Sequence, residues 1–130
     1  MKSKRRTLAT LGATGAILAA TFAATATPAH AAGGGGCNGW AVRACISVNG
    51  SGNVVADGYL NSVPSGCHHV TIALVDRNLA TIKSAGTTCH TGWLGSQADL
   101  FRSGQTYYSR VRVWNSSNGV IAETVSPAQY

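Results

Sequence analysis

The chain has 130 residues, a formal net charge of +6 and only 11% charged side chains. Four of its ten basic residues, Lys2, Lys4, Arg5 and Arg6, are crowded at the amino end. Beyond residue 31 six basic side chains face four acidic ones, a balance of +2 that excludes nucleic-acid binding driven by bulk charge.

Residues 1–31 read as a secretory signal. The basic cluster is followed by an apolar run from Leu8 to about Ala24, and Ala29-His30-Ala31 supplies a small-residue cleavage site. Nothing later is long and apolar enough to span a bilayer as a helix, so a secreted, extracellular protein is expected. The 99 residues from Ala32 to Tyr130 suffice for one domain with a modest core, a size at which exported proteins commonly add disulfides.

Residues 32–39 form a flexible glycine-rich arm on this reading, with four consecutive glycines, Gly33 to Gly36, ahead of Cys37. The sandwich domain then covers residues 40–130. Trp40 to Val48 alternates, with Val42, Ala44, Ile46 and Val48 on one face, which predicts a strand. Asn49-Gly50-Ser51-Gly52 is a hairpin signal, because Asn and Gly tolerate positive φ. Asn53 to Leu60 returns as a second strand. His69 to Val75 and Leu79 to Ser84 form a further pair about Asn78. Gly86 to Gly95 is a loop, and Ser96 to Phe101 reads as a short strand rather than a helical turn.

Thr106 to Trp114 is the clearest strand, followed by a turn at Asn115 to Gly119 and a last strand, Val120 to Val125. Glu123 shares the face of Ile121 and Val125 there, so it is either solvated at an edge or displaced by a bulge. About seven short strands closed by Gly and Asn, with no amphipathic helix, predict an all-β, antiparallel β-sandwich.

Cys37, Cys45, Cys67 and Cys89 allow three pairings. A hairpin turning about Asn78 sets Val75 opposite Thr81, Ile72 opposite Ser84 and Cys67 opposite Cys89. The expected bridges are therefore Cys67–Cys89 and Cys37–Cys45. Closing the roughly 20-residue loop of the first is worth about 3 kcal/mol. Cys67-His68-His69 with Cys89-His90 would be the only metal-like cluster. Exported thiols oxidise and adjacent strand histidines point to opposite faces, so no metal site and no cofactor is assigned.

Asp57, Asp76, Asp99 and Glu123 stand singly, and no nucleophile elbow, zinc-protease or phosphate-loop motif occurs. The expectation is a protein that is not an enzyme. Two stretches are candidates for partner binding. One is Ala32, Gly33, Gly34, Gly35 and Gly36, whose small residues can enter a narrow cleft. The other is the stripe Tyr108, Arg110, Arg112 and Trp114, built from residue types that dominate protein interfaces. Trp40 and Trp93 are expected in the core or at its rim.

Two resemblances follow. Phe101, Gly104, Tyr107, Val111 and Val113 resemble the late-strand region of fibronectin type III and immunoglobulin-like domains, with Ser109 standing where an apolar residue is usual. The layout as a whole, an Ala/Thr-rich leader like those of high-GC filamentous bacteria, a small-residue arm and a charge-poor disulfide-bonded sandwich, resembles the small adaptor subunit of umbrella toxin particles. That resemblance implies a secreted adaptor in an antibacterial toxin complex. It would join a lectin-bearing, trypsin-like subunit to a large repeat-containing toxin subunit, with Ala32 to Gly36 inserting into a partner cleft. Nothing implies contact with nucleic acid or membrane. Other readings are an inhibitor of an extracellular hydrolase and a carbohydrate-binding module using Tyr108, Trp114 or Trp93.

Overall fold

The computed structural model describes residues 32–130; residues 1–31, read above as a secretory signal, lie outside the described residues. These residues form eight strands: β1 (Gly36–Asn38), β2 (Val42–Val48), β3 (Asn53–Leu60), β4 (His69–Asp76), β5 (Thr81–Thr87), β6 (Gly92–Leu100), β7 (Tyr107–Trp114) and β8 (Val120–Val125). They make two four-stranded antiparallel sheets, β1-β2-β3-β6 and β5-β4-β7-β8, packed face to face. The all-β sandwich and both expected disulfides, Cys37–Cys45 and Cys67–Cys89, are present. The eighth strand is β1, which lies within the stretch read as an arm. The predicted first strand begins at Val42 rather than Trp40, and the short strand expected at residues 96–101 spans Gly92–Leu100.

Three hairpins share one turn chemistry. Asn49 Oδ1 accepts from the backbone N–H of Ser51 and Asn53 at 2.9 and 3.0 Å. Asp76 Oδ1 accepts from Asn78 and Ala80 at 2.8 and 2.9 Å. Asn115 Oδ1 accepts from Ser117 and Gly119 at 2.9 and 2.8 Å. In each loop the fourth residue turns left-handed: Gly52 at φ 81°, Leu79 at 64° and Asn118 at 62°. This is a short loop in which a side chain replaces the missing ladder bonds.

The inner faces follow the alternation. Val42, Ala44 and Ile46 of β2, Val54, Ala56 and Leu60 of β3, Val70, Ile72 and Leu74 of β4, and Val111 and Val113 of β7 are buried. Gly58 faces side chains of the opposite sheet, and a Cβ there would come within 2.8 Å of Ile72 and 2.9 Å of Val111. Ser109, the polar residue in an apolar column, is fully buried. Its Oγ donates across the core to Asp57 O at 3.0 Å, and its N–H donates to Ser126 Oγ at 2.8 Å, so neither of its own donors is orphaned. At the bend before β7, Tyr107 Oη accepts from Arg102 N at 3.1 Å. Immunoglobulin-type sandwiches make a comparable tyrosine corner.

Bulges adjust the registers. Ile82 is the extra residue in β5, so Ile72 faces Ala85 rather than Ser84, while Val75 does face Thr81. Ile121 is the extra residue in β8. The bulge and the exposed edge together resolve the Glu123 conflict, leaving Glu123 opposite Arg112 on the outer face.

Candidate functional site

The glycine run is hydrogen-bonded along its length. Gly33 and Tyr130 exchange backbone bonds, Gly35 N donates to Ala128 O at 2.7 Å, and Gln129 Nε2 donates to Gly33 O at 2.6 Å. Gln129 also exchanges backbone bonds with Tyr107, so the carboxyl-terminal segment lies between β7 and the glycines. Gly34, Gly35 and Gly36 have φ of 77°, 87° and 116°. A Cβ on Gly33 would meet the Tyr130 ring at 2.8 Å, and one on Gly34 or Gly35 would collide with Ala128 O or Gln129 Oε1. The backbone conformation and the close approach thus both require glycine here. Cys37 and Cys45 are register partners, and their disulfide fastens β1 to β2. Ala32 precedes this clasp and is exposed.

The stripe on β7 lies on the outer face of the second sheet. There Tyr108, Arg110, Arg112 and Trp114 stand directly opposite Val75, Ala73, Thr71 and His69 of β4. Each polar member except Tyr108 is tied to a neighbour. Arg110 donates to Leu79 O and Thr81 Oγ1, both at 3.1 Å, while its Nε is buried without a partner. Burial first, and Arg112 second, pull its guanidinium below its ordinary pKa, against an opposing pull from Glu123. Arg112 pairs with Glu123. Trp114 Nε1 donates to Thr71 Oγ1 at 2.9 Å, and its ring stacks parallel to that of His69 at 5.7 Å. Ala73 and Val75 are buried although they point outward, because the long side chains opposite them lie over the sheet.

A second surface occupies the outer face of the first sheet. Arg43, Tyr59 and Trp93 form one row across β2, β3 and β6. A bulge at Leu94 turns that residue into the core and leaves Trp93 outside. Trp93 is 57% exposed and Trp40, just before β2, is 71% exposed, which places both outside the core. Trp93 Nε1 donates to Asp57 Oδ1 at 3.3 Å, and Asn61 Nδ2 holds Trp40 O. Cys37, Arg43, Cys45, Tyr59 and Asn61 line a depression of about 360 Å³. Arg43 makes no ion pair or side-chain hydrogen bond among the described residues.

The stripe was visible in the sequence because it follows one strand. Arg43, Tyr59, Asp57 and Asn61 were missed as a group. Their signal was the Asn49 hairpin, whose register sets Arg43 opposite Tyr59 and Cys45 opposite Asp57.

A third cluster lies at the open end of the β4–β5 hairpin. The Nδ1 atoms of His68 and His69 are 3.1 Å apart, beside the Cys67–Cys89 disulfide. Among the described residues no three His, Cys, Asp or Glu side chains converge as a metal cage. No helix among them is long and apolar enough to cross a membrane.

No protein-family model matches the chain, and no curated protein matches it. Among solved structures it is similar to an endonuclease/exonuclease/phosphatase from Beutenbergia cavernae, at 9% identity and a TM-score of 0.47 over 67% of this chain. The chain spans 23% of that structure's length.

Proposed function

We propose that the protein is an exported, non-enzymatic adaptor that joins subunits of an extracellular antibacterial complex. One observation carries this reading. A single disulfide-bonded sandwich presents tryptophan, tyrosine and arginine on both of its opposite outer faces: Arg43, Tyr59 and Trp93 on one, with Trp40 exposed just before β2, and Tyr108, Arg110, Arg112 and Trp114 on the other. These residue types are enriched among the hot spots of protein interfaces, and two such faces on one body suit a protein that touches two partners at once. The two disulfides fit export. The partners implied by the resemblance are a lectin-bearing, trypsin-like subunit and a large repeat-containing toxin subunit. Insertion of the arm would require Gly33 and Gly35 to release Tyr130 and Ala128. Binding through the two faces needs no such release, and the proposal rests on them.

The test is affinity purification of the tagged protein from culture supernatant, followed by mass spectrometry. Trp40→Ala with Trp93→Ala is expected to lose one partner, and Tyr108→Ala with Trp114→Ala the other. Near-UV circular dichroism checks that each variant folds. Retention of both partners by both folded variants would sink the two-face adaptor.

A second reading, a small carbohydrate-binding module, is favoured by the exposure of Trp40 and Trp93 beside Arg43, Asp57 and Asn61. Flat rings bordered by both donors and an acceptor suit a sugar ring, which has an apolar face and a hydroxyl rim. Retention on a glycan column, abolished by Trp93→Ala, would support it; passage straight through a panel of such columns would remove it.

A further inference from the structure

We propose that the depression beside Arg43 is a binding site for a carboxylate-bearing sugar of the hexuronic acid type. This deepens the carbohydrate-binding reading of the same face and rests on it. The depression exists because β1 is short. Its last residue, Asn38, stands opposite Ala44. Arg43 therefore has Tyr59 of β3 on one side and no strand partner on the other. Gly39, which follows Asn38, brings no side chain to fill the gap. The Cys37–Cys45 disulfide and Asn61 flank Arg43 along the strand and complete the walls. The resulting space of about 360 Å³ is the size of a small-ligand site.

The half-buried Arg43 guanidinium and Tyr59 Oη make no ion pair or side-chain hydrogen bond among the described residues. A guanidinium offers a planar fork of N–H donors that matches a carboxylate or a phosphate. Asp57 decides between the two. It lies two residues before Tyr59 on the same face, opposite Cys45, which makes it the diagonal neighbour of Arg43. A doubly charged phosphate would meet one cation and one acid there, whereas the single charge of a carboxylate is matched by Arg43 alone. The aromatic row supplies the rest of the ligand. Tyr59 stands opposite Trp93, which is 57% exposed and whose Nε1 is held by Asp57 Oδ1 at 3.3 Å. Such rings cover the apolar face of a sugar. Asn61 is fixed by its bonds to Trp40 O and Ala41 O, and its Oδ1 is left to accept from a sugar hydroxyl. A site ordered before the ligand arrives lowers the cost of binding.

The test titrates purified protein, with both disulfides formed, and reads it by nitrogen–proton correlation NMR at constant ionic strength. The probes are glucuronic and galacturonic acid, their neutral counterparts glucose and galactose, and inorganic phosphate. Saturable shifts of the Arg43 Nε–H and Trp93 Nε1–H signals are expected, with Trp114 unmoved. Each uronic acid should bind at least about tenfold more tightly than its neutral counterpart. Arg43→Gln should abolish that preference and leave the affinity for neutral sugars unchanged. Arg43→Lys, which keeps the charge without the fork, should retain part of it and is the second variant should Arg43→Gln fail to fold. Equal affinity for acidic and neutral sugars, or a preference that survives Arg43→Gln, would overturn the carboxylate site and leave the carbohydrate reading standing. Phosphate binding as tightly as the uronic acids would overturn it too. No saturable binding of any sugar would overturn both.

Discussion

The two outer faces of the sandwich carry similar residue types in opposite states. On the β4–β7 face the arginines and the tryptophan are engaged within the protein: Arg112 with Glu123, Arg110 with the loop at Leu79, Trp114 with Thr71 and His69. On the β2–β3–β6 face Trp93 is mostly exposed, as is Trp40 just before β2, and Arg43 has no side-chain partner. The first arrangement stiffens a sheet, because the long side chains cover Val75 and Ala73 and satisfy one another. The second leaves hydrogen-bonding capacity and apolar area unspent. The same composition can therefore be held in place on one side of a sheet pair and left unpartnered on the other, so the two faces would offer two partners a pre-ordered and an unordered surface.

The comparison breaks most visibly at the tryptophans. Trp114→Ala removes a stacked, hydrogen-bonded ring and should cost about 2 kcal/mol of stability, read by chemical denaturation. Trp40→Ala removes a mostly exposed ring and should stay within about 0.5 kcal/mol. Equal losses at the two sites would mean that the exposed face is structural as well. A smaller contrast is expected at the arginines. Arg110→Ala frees Leu79 O and Thr81 Oγ1 and should cost about 1–1.5 kcal/mol, whereas Arg43→Ala should leave the midpoint of unfolding within experimental scatter. Smaller again is the coupling of Arg112 with Glu123. Both side chains are about a third exposed, so a double-mutant cycle should return about 0.2–1 kcal/mol, shrinking as salt is added.

How far each face could be read in advance depended on how its residues are joined. Tyr108 to Trp114 lie on one strand at period two, so a single alternation displays them. Cys67 opposite Cys89 was legible because a hairpin fixes its own register, even though Ile82 later shifts part of that register by one residue. Trp93 reaches Tyr59 only through the pairing of β3 with β6, which joins strands separated by the whole β4–β5 hairpin and contains a bulge. No local pattern announces such a contact. The glycine run was the hardest to read. Four glycines look alike whether they fray or fit tightly, and the difference here lies with Ala128, Gln129 and Tyr130 at the far end of the chain.

A last expected effect concerns the loop that anchors the β4–β7 face. Leu79 occupies the left-handed position that Gly52 fills in the first hairpin and Asn118 in the last. A leucine there pays a steric cost between its Cβ and the backbone of roughly 1 kcal/mol. Leu79→Gly relieves that cost, gives up little burial because the side chain is 43% exposed, and adds conformational entropy to the unfolded chain, which opposes folding. A net gain of about 0.5 kcal/mol is expected from denaturant midpoints. Gly52→Ala is the mirror experiment. A Cβ at Gly52 meets nothing within 4 Å, so its cost isolates the backbone term without a steric clash, and it should fall near 1 kcal/mol. If Leu79→Gly instead destabilises the protein, the leucine side chain contributes packing that its exposure hides. Leu79 O accepts from Arg110, so the loop conformation and the stripe are linked. The Arg110→Ala cost should then be unchanged in the Leu79→Gly background if the loop merely presents a carbonyl, and smaller if the leucine itself holds that carbonyl in place.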